Sequence, residues 1–159
     1  MILVTLGTQD KQFDRLLRAV QKAITDGTIK DKVVVQAGYT KFNSTDMEIF
    51  DLIDREKFSQ LIGECDLLIT HGGVGSILTG LKNNKKIIAC SRLAKYQEHI
   101  NDHQRQIVDK FFQEGYLLKY DEGDDLSQVI VKSSEFIPKP FKSNNAHFIN
   151  IIEKFIDEN

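Results

Sequence analysis

The sequence predicts an α/β domain: a parallel, Rossmann-like sheet with helices on both faces. Short β-rich runs alternate with amphipathic helical stretches along the chain, and the strand-like runs end in glycine-rich or polar loops. The length of 159 residues suits one domain, 1–159, with room for a real core.

Residues 2–6 form a short apolar run that stops at Gly7 and reads as a buried first strand. Over 12–26, Phe13, Leu16, Leu17, Val20 and Ile24 recur at spacings of three and four, which predicts a helix. Residues 32–37 are a strand closed by Gly38. The stretch 39–54 holds at most one short strand, around 48–53. A helix over 55–64 puts Phe58, Leu61 and Ile62 on one face. Then come a strand at 66–70, a helix at 74–83, a strand at 86–91 and a helix at 102–113 closed by Gly115. A strand at 116–120 and a helix at 125–132 follow. After Pro138 and Pro140, residues 144–157 place Phe148, Ile151, Ile152, Phe155 and Ile156 on one stripe, a C-terminal helix that would dock on the sheet or on a partner. In such a sheet, ligands bind beyond the C-terminal strand ends. The loops 7–11, 71–75 and 92–101 should converge there.

Composition excludes several classes. Lys and Arg total 21 against 23 Asp and Glu, so no basic excess points to nucleic acid. No apolar run approaches the roughly 20 residues of a membrane-spanning helix. The opening MILVTLG carries no basic leader and is not expected to be a signal peptide. Cys65 and Cys90 form neither a CxxC pair nor a metal cluster, and each adjoins a strand. Together these features suggest a cytosolic protein.

The run Leu67 to Leu78 passes from strand through His71-Gly72-Gly73-Val74-Gly75-Ser76 into a helix. Glycines let backbone approach a ligand, and the helix start offers unpaired N–H groups and a partial positive charge. That combination binds phosphate, with Ser76 as an added donor. A tight turn with no ligand explains the glycines equally well. A dinucleotide fingerprint fails because Leu78 stands where its last glycine is needed, and a Gly-Lys-Ser/Thr phosphate loop is absent. His71 reads as a phosphate donor, a structural histidine or a general base.

The loop after the strand at 86–91 gathers Gln97, Glu98, His99, Asn101, Asp102, His103 and Gln104, donors and acceptors suited to sugar hydroxyls. Asn101 or Asp102 serves equally as a helix N-cap. His99 and His103, four residues apart, would suit a metal if both lay on a helix, but no third ligand accompanies them.

These motifs in order resemble a family. Val4-Thr5-Leu6-Gly7-Thr8 with Phe13-Asp14, then Thr70 to Ser76, then Asn101-Asp102-His103-Gln104, look like the Alg13-like glycosyltransferases. These are similar to the C-terminal, donor-binding domain of the glycosyltransferase 28 family, to which MurG-type enzymes belong. Bacterial members are the PssE- or EpsF-like proteins of exopolysaccharide and capsule synthesis. The resemblance covers roughly 1–125 and implies one half of a GT-B fold, with no cofactor or metal and a UDP-sugar as donor substrate. It implies inverting transfer of a hexose to a lipid-linked saccharide. It also implies a membrane-anchored Alg14- or PssD-like partner, which would keep this chain cytoplasmic but peripheral to the membrane.

On this resemblance Gly7 and Thr8 match the turn facing the interdomain cleft, and Gly72, Gly73, Val74, Gly75 and Ser76 match the diphosphate loop. Asp102 and Gln104, with Asn101 and His103 beside them, match the sugar-reading residues. His71 is the candidate base unless the partner supplies one, and Arg92 or Lys95 would meet charge on the leaving UDP. Thr79 stands where many relatives carry a ribose-binding Glu. That departure leaves open a regulatory, non-catalytic subunit.

Overall fold

The computed structural model describes residues 1–142 together with Asn150 and Glu153. The expected C-terminal helix at 144–157 lies outside the described residues apart from these last two positions.

Six parallel strands form one sheet: β1 (Ile2–Thr5), β2 (Val33–Gln36), β3 (Glu48–Phe50), β4 (Leu67–His71), β5 (Lys86–Cys90) and β6 (Leu118–Lys119). Within residues 1–142, five helices connect or follow them: α1 (Asp14–Thr25), α2 (Arg55–Glu64), α3 (Val74–Lys82), α4 (His103–Gln113) and α5 (Leu126–Ser133). The spatial order is β3-β2-β1-β4-β5-β6. The chain builds outward from β1 in one direction, then returns to start again beside it with β4. The switch point therefore lies between β1 and β4, where a parallel α/β sheet opens a crevice at its C-terminal edge.

Alternation along each strand sorts the core onto two faces. Ile2, Val4, Val33, Val35, Leu67, Ile69, Ile88 and Cys90 pack with Leu16, Leu17 and Val20 of α1 and Leu126 and Val129 of α5. Leu3, Val34, Leu68, Ile87 and Ala89 face the other way, against Leu61 and Ile62 of α2, Ile77 and Leu81 of α3, and Ile107, Val108 and Phe111 of α4. Helices cover both faces, as expected.

Local chemistry moves several boundaries. Phe13 holds the N-cap position of α1 with a non-helical backbone and a buried ring, and its N–H donates to Thr40 Oγ1 at 3.0 Å, so the helix starts at Asp14. Asp54 caps α2 by accepting from the Lys57 N–H at 2.8 Å. β4 runs one residue further than expected because His71 pairs with Cys90 in the β4–β5 ladder. β3 keeps only three residues, and 51–54 leave the sheet to border the crevice. A 3-10 turn at Ala94–Tyr96, not anticipated, closes on Gln97 in the left-handed region at φ 58°. No described helix is long and apolar enough to cross a membrane.

Candidate functional site

Neighbouring strands β1 and β4 deliver the first and second expected loops to the switch point, with Thr5 beside Thr70 and a 2.8 Å bond between their buried hydroxyls. The glycine turn then divides into distinct tasks. Gly72 is a packing position: a side chain there would stand 2.8 Å from Gln104 Cβ and 3.0 Å from Val108 Cγ2, so its bareness lets α4 press on the strand end. Gly73 caps α3 without a side-chain bond, and the first helical bond runs from Ile77 N–H to the Gly73 carbonyl. The N–H groups of Val74, Gly75 and Ser76 precede any intrahelical partner. Gly75 is exposed, with nothing within 4 Å of where its side chain would begin. The start of α3 is thus open and carries no side-chain cap, as the anion-binding reading of the sequence requires.

His71 is 8% exposed. Its Nε2 lies 3.3 Å from Ser76 Oγ and its Nδ1 3.4 Å from Gln104 Nε2. Gly7, at φ 80°, also leaves it room, since a side chain at Gly7 would fall 2.7 Å from Nε2. Burial, then the charge on Arg92 and that on His99, push its pKa down to about 3. An imidazole so reluctant to take a proton, and closed in by two glycines, is a poor acceptor for one from an attacking hydroxyl, which weighs against the general-base reading and favours the structural and donor readings.

The third loop is tightly braced. Arg92 is fully buried, and its guanidinium donates to the carbonyls of Leu6 (2.6 Å), Lys11 (2.9 Å) and Glu98 (3.0 Å) and stacks on Phe13. Arg15 pairs with Glu98 through two bonds of 3.1 and 3.0 Å, and Glu98 also accepts from the Leu93 N–H. Lys95 pairs with Glu122. Of the two cations expected to meet a leaving diphosphate, Arg92 is committed to three carbonyls and joins loops, while Lys95, 59% exposed, ties the 3-10 turn to the β6–α5 connection.

The sugar-reading candidates are placed unequally. Gln104 is buried, with Oε1 accepting from the N–H of Gly72 and of Arg92 at 3.1 and 3.0 Å. Asp102 accepts from the Ala94 N–H, and Asn101 from the His103 N–H. Asp102 occupies the N-cap position without a side-chain cap bond. His99 lies ahead of α4, so it shares no helix face with His103; it sits 3.2 Å from Gln9 of the first loop. Thr79 Oγ1 donates back to the Gly75 carbonyl at 2.9 Å.

A cleft of about 440 Å³ gathers Gly7, Thr8, His71, Gly73, Gly75 and Ser76 from the expected residues. Gly72, Val74, Thr79, Asn101, Asp102, His103 and Gln104 are not among its described lining residues. Sequence reasoning missed the rest of the wall: Gln36, Leu52, Ile53, Arg55 and Phe58. Gln36 clasps Gly7 from both sides, accepting from its N–H and donating to its carbonyl at 3.2 and 3.1 Å. Leu52 is 67% exposed and, with Ile53 and Phe58, makes the apolar part of the wall. Arg55 is the only Lys or Arg among the described lining residues, which include no Asp or Glu. The signal for these residues was present, since 51–55 leave a strand at the same sheet edge, but without the strand order nothing set β3 near the glycine turn.

Comparison with known proteins adds a family, two relatives and two structures. The glycosyltransferase family 28 C-terminal domain matches residues 1–158. The UDP-N-acetylglucosamine transferase subunit ALG13 of Saccharomyces cerevisiae is 44% identical over 52 residues, 33% of this chain and 24% of that protein. The subunit of the same name from Candida glabrata is 30% identical over 104 residues, 65% of this chain and 43% of that protein. The chain thus spans less than half the length of these curated relatives. The solution structure of an ALG13 aligns with a TM-score of 0.61 at 22% identity, covering 94% of this chain and 93% of that one. MurG of Acinetobacter baumannii aligns at 0.56 and 13% identity, covering 83% of this chain and 40% of that one. Both structural likenesses concern the fold.

Proposed function

This chain belongs to the glycosyltransferase family 28 C-terminal domain family, in its Alg13-like branch, and from that premise we propose that it is the donor-binding half of a two-component UDP-sugar glycosyltransferase. The observation that carries the reading is one cleft holding the uncapped start of α3, a single unopposed Arg55 and an apolar wall of Leu52, Ile53 and Phe58. The α3 N–H groups and Ser76 suit a diphosphate, Arg55 suits its charge, and the apolar wall suits a nucleobase.

Transfer would proceed by attack of an acceptor hydroxyl on the anomeric carbon as the bond to the diphosphate oxygen breaks with inversion. Charge developing on UDP falls on the N–H groups of α3 and on Arg55, donors already in place before the bond breaks. On this reading the acceptor's proton goes to a base supplied from the acceptor side, a role that the depressed pKa of His71 suits it poorly to fill. We assign that side, and attachment to the cytoplasmic face of a membrane, to an Alg14- or PssD-like partner carrying a lipid-linked saccharide. Under this reading 1–159 acts as one nucleotide-sugar-binding domain without a cofactor or metal. UDP-N-acetylglucosamine is the first donor to test, because both fungal relatives are named for it. The exopolysaccharide or capsule setting rests on the bacterial resemblance, and neither relative's name carries it.

One observation favours a regulatory subunit instead: Thr79 turns its hydroxyl proton into the helix, and no described carboxylate lines the cleft to hold a ribose. Calorimetry with UDP and UDP-sugars, followed by transfer assays in membranes with and without the partner, separates the two. Donor binding by this chain and turnover only with both subunits support the enzyme reading. A partner that turns over alone, beside a chain that binds no UDP, sinks it.

A further inference from the structure

Gln104 links the third loop to the diphosphate end of the cleft. Its Oε1 accepts from two backbone N–H groups, those of Gly72 and Arg92. Two donors on one amide atom identify that atom as oxygen, so the nitrogen is the end facing His71. An amide N–H only donates, and it points at His71 Nδ1, 3.4 Å away. Nδ1 therefore accepts, and the proton of the neutral ring sits on Nε2. Nε2 in turn lies 3.3 Å from Ser76 Oγ. With Nε2–H donating to it, the Ser76 oxygen is an acceptor on that side, and its own O–H is left to point elsewhere. Ser76 lines the cleft. The imidazole is confined by Gly7 and Gly73, so the chain of bonds has little freedom to rearrange.

We infer that Gln104 is a positioning residue: by holding His71 as the Nε2–H tautomer it presents the Ser76 hydroxyl to the cleft as a donor to a diphosphate oxygen. The identity of the ligand rests on the donor reading above; the direction of the bonds does not. Each group donates toward the next, from backbone through Gln104 and His71 to Ser76, an arrangement in which every bond polarises its successor. Burial keeps His71 neutral, its pKa lowered to about 3, so the tautomer persists across the physiological range. The assignment gives Gln104 a task at the diphosphate rather than at the sugar, because its oxygen is already committed to two N–H groups.

Gln104→Glu tests this in the full chain. The side chain keeps its shape and an oxygen for Gly72 and Arg92, but it sets an acceptor where the amide nitrogen stood. His71 should then carry its proton on Nδ1, and the Ser76 O–H should turn inward to Nε2. Imidazole ¹⁵N NMR at pH 8, without ligand, is expected to show Nε2–H in the parent and Nδ1–H in the variant. UDP affinity by calorimetry is expected to fall about tenfold, as for Ser76→Ala. Gln104→Glu should add nothing further in a Ser76→Ala background. A parent ring protonated on Nδ1 overturns the inference, as does a variant that keeps Nε2–H. So does an equal loss in the Ser76→Ala background, which would mean simple charge repulsion. If Gln104→Glu does not fold, the parent's tautomer and the UDP affinity of Ser76→Ala still decide. A parent that shows Nε2–H but binds no UDP defeats the donor reading and the diphosphate role together; one that binds UDP with the wrong tautomer defeats only this inference.

Discussion

The imidazole of His71 occupies the space that a side chain at Gly73 would need, with Cε1 and both ring nitrogens against that position. Gly73→Ala is therefore expected to displace the ring and destabilise the fold by about 1–3 kcal/mol. Gly75→Ala, with open space around it inside the first turn of α3, should be neutral or stabilise by about 0.5 kcal/mol. Urea unfolding of the two variants checks this. Equal losses would mean that the ring and the turn adapt together.

The same contrast selects the clean probe of the anion site. Gly73→Asp would confound a lost ligand with a displaced His71. Gly75→Asp meets no neighbour, and a carboxylate in the first turn of a helix is favourable to the helix itself. It should leave stability unchanged or slightly raised while UDP binding is lost by at least about tenfold through like-charge repulsion at the α3 start. Unchanged UDP affinity in this variant would remove the α3 terminus from the site.

The sequence reached the sheet, the helices and the glycine turn because hydrophobic period and glycine placement are local properties. It placed 55–64 correctly, since Phe58, Leu61 and Ile62 mark the core face within five residues of one another. What it missed was long-range. Arg92 reads as a loop cation, yet its donors meet carbonyls 81 and 86 residues away. Gln104 reads as a polar loop residue, but its neighbour Gly72 is 32 positions distant. Arg55 reads as a helix surface residue until the order β3-β2-β1-β4 brings its strand end to the cleft. Each of these depends on which strands are adjacent, and periodicity does not encode that.

Arg55 yields a prediction specific to charge. Arg55→Gln should weaken UDP about tenfold while uridine, which lacks the diphosphate, binds as before. Arg55→Lys should restore most of the loss, and the salt dependence of UDP binding should flatten in the glutamine variant. A parallel loss for uridine would place Arg55 on the nucleoside instead.

Glu98 and Arg15 hold the third loop against α1, with side chains 4% and 17% exposed. Glu98→Gln leaves Arg15 without its charge partner and weakens the acceptor for the Leu93 N–H. The expected cost is about 2–3 kcal/mol, below the full value for a buried pair because Arg15 keeps its bond to the Ser91 carbonyl and some contact with water. Hydrogen exchange should show the Leu93 amide losing protection first. A loss spread evenly over the domain would argue that the pair stabilises the whole fold and not the loop.

His71 sets an acid-side dependence of stability whose sign follows from its burial. Its pKa is lowered from 6.5 to about 3 in the folded chain, chiefly by desolvation and then by the charges of Arg92 and His99. Between those values the unfolded chain binds a proton that the folded chain refuses. Unfolding then takes up protons, so stability falls as pH drops below 6.5 and levels off only near 3. The slope contributed by this one residue is about 1.4 kcal/mol per pH unit. His99 shifts in the same direction and adds to it. Above pH 7 neither contributes a slope, because both states are neutral. Urea unfolding at pH 7, 6 and 5 should show the decline in the parent, and His71→Gln should flatten it by close to one proton's worth even if its stability at pH 7 is lower. An equal slope in the two proteins, or a His71 resonance that titrates near 6.5 in the folded chain, would mean that water reaches the ring and that the cleft is wetter than its glycine walls imply.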